Sequence, residues 1–190
     1  ATRSHEITSP SVVESAEVGR PNACNLCHLD RTLAWTADEL ERWYGTRPVP
    51  LRAEQQALAA GVLWLLRGDA AQRALTAWSM GWEPARRASR DDWLGLYLAL
   101  LLTDPYDAVR SIAYRSLRTL EPFAGFDYDF MAPPLERKRA ARRAVATWAK
   151  AGGHVSSGPE LLIARPGVAL ESQIHRLLES REERSLLVVE

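Results

Sequence analysis

The chain has 190 residues, 46% of them hydrophobic, and its 24 basic and 24 acidic side chains cancel to a formal net charge of zero. This length and apolar content suffice for a buried core in one domain, or in one domain with an appendage. Balanced charge excludes a global electrostatic pull toward nucleic acid or an anionic membrane, and no apolar run reaches the roughly 18 residues that would span a bilayer.

The first residues, Ala1 to His5, are polar and contain no apolar signal region; the expectation is an export signal that has been removed or never existed. Pro21 and Asn22 suit a turn or the start of a helix. Cys24 and Cys27 are the only cysteines and lie three positions apart, too close to staple a fold of this length, so a structural disulfide framework is excluded. In the run Cys24, Asn25, Leu26, Cys27 and His28, two thiols have the spacing that meets the two vinyl groups of a haem. The imidazole that follows directly is placed to sit under the iron. The run therefore reads as the attachment site of one covalent haem c, with His28 as the proximal ligand. A redox dithiol would want βαβ patterning around the motif, and a zinc site would want a second Cys/His pair. Neither is visible, and His154 and His175 are remote and 21 residues apart.

Thr36 and Glu39 form a capping box that predicts a helix through Leu40, Trp43 and Tyr44, ended by Gly45. Trp35, Trp43 and Tyr44 offer flat apolar surfaces near the motif, either as walls for a haem or as ordinary core.

Beyond Pro50 the pattern predicts helices over 51–67, 70–80, 89–102, 106–120 and 135–151, with an irregular, aromatic and Pro-rich stretch over 121–134. Residues 71–80 match 108–117, pairing Arg73 with Arg110, Leu75 with Ile112 and Ser79 with Ser116. The offset of about 37 residues is close to the period of HEAT or armadillo helix pairs. The basic run Arg137, Lys138, Arg139, Arg142 and Arg143 reads as the solvated face of a helix whose other face carries Leu135, Ala144, Val145 and Trp148. Its functional alternative is docking of an acidic redox partner or of membrane headgroups. At the end of the chain, β-prone runs at 160–164 and 186–190 flank a predicted helix at 168–183 and can pair as a small sheet. No Gly-rich phosphate loop, HExxH or GxSxG is present, and no carboxylate pair stands with a His for acid–base work.

The sixth ligand of the iron decides what such a haem does. His5, Met80, Met131, His154 and His175 compete for it. On the residues alone, His5 is an exposed terminal histidine, Met80 fills a core and His154 and His175 are solvated; Met131 stands in a Pro-rich loop.

His5, Ile7 and Pro10, then Arg20 through the cysteine motif to Asp30, then Leu33, Trp35, Thr36, Trp43, Tyr44 and Gly45, resemble the last haem module of a family of multihaem c-type cytochromes. The likeness covers about residues 3–120 and is most specific over 20–45. In that family the module leads into a HEAT-like helical tail. The resemblance implies covalent haem on Cys24 and Cys27, His28 proximal, and His5 as distal ligand of this haem or of a neighbouring one. Family members carry several more such motifs upstream, whereas this chain has one. A processed C-terminal piece, or a subunit beside a chain holding the other haems, is therefore expected.

The expected fold is mainly α: a c-type haem-binding segment over 1–50, a short HEAT-like α-solenoid over 51–153, and an α/β appendage over 154–190. The expected role is electron transfer with other haem-carrying chains or copies of itself, without nucleic acid and without a transmembrane segment. By resemblance, the setting is the periplasm or the cell surface. The alternatives are a haem enzyme or gas sensor with an open distal site, and a scaffold subunit in which the haem staples the N-terminal segment to the helices.

Overall fold

Short polar side chains start most of the N-terminal elements. In the computed structural model, which describes residues 9–151 and 157–181, Ser11 caps helix α1 (Val12–Glu17), its hydroxyl accepting from the Glu14 amide at 3.3 Å. Asn22 caps α2 (Ala23–Cys27) in the same way, as Pro21 and Asn22 suggest. Helix α3 (Leu33–Tyr44) corrects the expected start: its cap is Thr32, which accepts from the Trp35 amide at 3.0 Å. Thr36 lies inside the helix, buried, and turns its hydroxyl to Asn25 instead. Gly45 ends α3 at φ 64°, in the left-handed region that a side chain disfavours.

The single helix expected over 51–67 is two, α4 (Ala53–Ala57) and α5 (Ala60–Arg67), separated by extended backbone at Leu58. The break follows from where the backbone bonds go: Ala59 bridges to Thr32 and donates its amide to the Glu160 carbonyl, and the Ala60 amide donates to Arg31. Helix α6 (Ala70–Gly81) begins with a capping box between Asp69 and Gln72. The helix expected over 89–102 is shorter, α8 (Leu94–Leu101), and a separate helix, α7 (Glu83–Ser89), precedes it. Helix α7 is short and carries little apolar periodicity; its sequence signal is Pro84 in the first turn. Helices α9 (Asp107–Leu117) and α10 (Pro134–Ala151) fall where the pattern places them.

In the C-terminal part, β1 (Ile163–Arg165) pairs antiparallel with β2 (Val168–Ala169) across a turn at Gly167, and α11 (Glu171–Glu179) follows. Val168 and Ala169 thus open a strand rather than the predicted helix; the run 186–190 lies outside the described residues. The fold is mainly helical, with this one small sheet among the described residues.

Helix α8 is apolar all round and sits at the centre, packed by α9 and α10, with α5 and α6 beside it. Helices α6 and α9, which carry the matching segments, pack along one another. Their close approach requires Gly81, where a Cβ would stand 2.9 Å from the Ser116 Cα. Arg73 and Arg110 are both buried: Arg73 donates to Asp104 through Nε at 2.7 Å, and Arg110 donates to the carbonyls of Asp104 and Pro105 at 2.8 Å. A second apolar cluster of Val12, Leu33, Leu40, Ala60 and Trp64 docks α1 and α3 onto α5. The motif between them is thereby held against the helical body.

Candidate functional site

Helix α2 presents the motif. Cys24 and Cys27 lie about one turn apart on it, both free thiols and both partly exposed. His28 is its C-cap residue, with its amide bonded to the Cys24 carbonyl at 2.7 Å and its ring partly exposed. The Trp35 ring packs on the imidazole at 5.0 Å between centroids, tilted by 53°, and Arg31 stands over Trp35 at 5.8 Å. Trp35 is therefore a neighbour of His28, whereas Trp43 and Tyr44 are exposed at the far end of α3.

A buried polar chain beneath α2 fixes its pose. Asn22 donates to Ser15 at 3.0 Å and to Asn25 at 2.9 Å; the Asn25 amide donates to the carbonyls of Arg31 and Thr32, and its oxygen also accepts from Thr36 at 2.7 Å. Asn25 is fully buried. The other side of the motif is held by Ser89 at the end of α7, whose hydroxyl donates to the Cys27 carbonyl and accepts from the Leu29 amide, both at 2.8 Å. Leu29 is fully buried against Gly61, where a Cβ would meet the Leu29 carbonyl oxygen at 2.8 Å. Sequence reasoning missed Asn25, Thr36 and Ser89 in these roles. Only Asn22, as a helix cap, carried a local signal.

Burial pushes the Cys24 thiol up, a backbone hydrogen bond partly offsets this, and the neighbouring Cys27 adds a smaller rise. Cys24 is thus a thiol at neutral pH, the reverse of the depressed value that a redox dithiol uses to hold a thiolate. Asp30 is raised as well, chiefly by burial and slightly by Glu160, while Arg31, a backbone hydrogen bond and, less, His28 pull it down. It faces a concavity of about 560 Å³ lined also by Arg31, Thr32, Trp35, Arg90 and Glu160. Arg90 directly follows Ser89 and holds φ 60°, a left-handed conformation that strains a residue with a side chain.

The competitors for a sixth iron ligand are dispersed. His5 and His154 lie outside the described residues. Met80 is fully buried in the main core, Met131 is exposed in the loop before α10, and His175 is exposed on α11 beside Glu179 at 3.1 Å. Among the described residues no three His, Cys, Asp or Glu side chains gather as a metal-binding group. The basic side chains of α10 are largely exposed, with Arg143 also over the Phe126 ring; Ala144 and Trp148 are buried as expected, while Leu135 is exposed.

Searches against protein-family models, curated proteins and solved structures returned no match. No helix among the described residues is long and apolar enough to cross a membrane. With two partly exposed thiols on one short rigid helix and an imidazole at its end, the donor set suits covalent haem.

Proposed function

We propose that this chain is a c-type cytochrome that carries one covalent haem and transfers electrons within a multihaem complex or oligomer. The observation that carries the reading is the CxxCH run itself, presented on a helix anchored from below by Asn25 and from the side by Ser89. Cys24 and Cys27 hold the macrocycle by thioether bonds and His28 binds the iron, with Trp35 buttressing the imidazole. When bound, haem c supplies a one-electron iron couple. The chain's own part is to keep His28 in one orientation, through the packing of Trp35 on its ring and the anchoring of α2.

The helical body then serves as an assembly surface. The match between α6 and α9, their mutual packing and the equivalent buried Arg73 and Arg110 support a short HEAT-like solenoid. A single haem cannot carry electrons far, which favours a partner with further haems or a second copy of this chain. Placement in the periplasm or at the cell surface follows from the chemistry of haem attachment. His5 is the proposed distal ligand, for this haem or a neighbour's.

Intact mass with optical and EPR spectra, on protein produced with a haem-attachment system, tests the reading. Expected is the mass of one haem, absent from a Cys24→Ser, Cys27→Ser double variant, and a low-spin spectrum of two imidazoles that His5→Ala abolishes. An unchanged low-spin spectrum in His5→Ala moves the distal ligand elsewhere. A high-spin spectrum in the parent favours the open-site enzyme or sensor, and a parent without haem overturns the proposal.

A further inference from the structure

Helices α6 and α9 leave a shared face uncovered. Along α6, Ala71, Leu75 and Trp78 recur at the spacing of one helical face, with Trp82 just past its end. All four are exposed, Trp78 by 54% and Trp82 by 43%. The two indoles stack on one another, with 5.9 Å between centroids and 21° between planes. The matching positions of α9 are Ala108, Ile112 and Arg115, with Thr119 beyond its end. The helices run parallel: Arg73 lies over the Tyr106 ring at their N-terminal ends, and Gly81 packs on Ser116 near their C-terminal ends. A groove of about 340 Å³ opens between the C-terminal halves, lined by the indoles, Ile112 and Arg115, with no carboxylate among its described lining residues.

Exposed tryptophans of this kind anchor interfaces, and their occupant must offer small side chains beneath them and an anion beside Arg115. The other end of the same face has both. Ala71 and Ala74 leave room on α6, Ala108 does so on α9, and Asp107 is an exposed acidic residue in the first turn of α9. The face is thus complementary to itself when turned end for end. We infer that it is the contact between two copies of this chain, packed two-fold with α6 of one antiparallel to α6 of the other. An axis near Leu75 and Ile112, midway along the face, seats Trp78 of each copy over Ala71 and Ala74 of the other. It also sets each Arg115 beside Asp107 of the opposite copy. Antiparallel helices oppose their macrodipoles as well. The contact goes beyond the haem reading and does not rest on it, since no residue of the face belongs to the cysteine motif.

Sedimentation equilibrium of the full, haem-loaded chain is the test, with the loading read separately from intact mass. Expected is twice the mass of one chain. Trp78→Glu, at an exposed position, should leave helix content unchanged and raise the dissociation constant at least about thirtyfold, the scale of one interface anchor. Arg115→Asp should weaken association at least about tenfold by setting like charges together, and adding Asp107→Arg to the same chain should restore it. A parent that sediments as a monomer overturns the inference, whether another protein or a segment of this chain covers the face. A dimer that survives Trp78→Glu overturns it too, because the contact then lies elsewhere. Double charge reversal without rescue overturns the antiparallel arrangement. A dimer in a parent that carries no haem supports the inference while removing the haem reading.

Discussion

Asn25 sits inside the five-residue motif, yet its side chain serves the fold. It meets the carbonyls of Arg31 and Thr32 with its amide and takes hydrogen bonds from Asn22 and Thr36 with its oxygen. Replacing it by Ala strands these groups in a dry site, and each unmet buried polar group costs about 1–3 kcal/mol. Asn25→Ala should lower the unfolding free energy by about 2–4 kcal/mol in urea titration and reduce haem loading in parallel. Gly61 gives a second test, because its Cβ would collide with the Leu29 carbonyl. Since that carbonyl is backbone and cannot swing aside, Gly61→Ala should destabilise by about 1–3 kcal/mol and displace the loop that carries Asp30. The expected signature is a lower thermal midpoint together with an altered His28 environment. Neither role was legible beforehand. The motif announces its chemistry by residue type and spacing, while the contacts that hold it come from residues distant in sequence, such as Gly61 and Ser89.

Helices α6 and α9 show a different balance. Their matching segments were visible as an offset repeat, and the packing of one on the other follows from apolar stripes that neither can bury alone. The pivot is less visible: Asp104 is fully buried and accepts from Arg73 through Nε at 2.7 Å and from Arg181 at 3.2 Å. Removing one partner of a buried ion pair leaves the other charge uncompensated, at a cost of about 3–5 kcal/mol. Asp104→Ala should lose that much stability by calorimetry or denaturant titration, with the cysteine motif chemically intact. The helix expected over 51–67 was misread for a related reason. Its residues suit a helix, but Ala59 and Ala60 give their amides to Glu160 and Arg31, and these tertiary bonds outweigh local propensity.

The molecule as a whole is tied together across long sequence distances. Tyr97 on the central helix donates its hydroxyl to the Leu161 carbonyl, joining α8 to the segment that leads into the small sheet. Burial pushes the Tyr97 phenol far up from its ordinary value. A raised folded pKa means that the native state keeps a proton the unfolded chain releases, so stability falls as pH rises from about 10 upward. Alkaline titration of the unfolding midpoint should show this loss, and Tyr97→Phe should flatten it at the expense of about 1 kcal/mol at neutral pH for the lost hydrogen bond. Tyr128, also raised mainly by burial and bonded to the Leu102 carbonyl, keeps a residual slope in that variant.

Residue type and short spacing sufficed for the helical class, the stop at Gly45 and the CxxCH run, because each is written within a few neighbouring positions, and the α6–α9 repeat was legible by comparing segments about 37 residues apart with no contact needed to read it. The division of 51–67, the Thr32 cap, helix α7, the pairing of β1 with β2 and the packing of His28 against Trp35 were decided by tertiary structure. In most of these, a backbone group or side chain has a competing local partner, and the better-satisfied arrangement appears only once the core has closed around it.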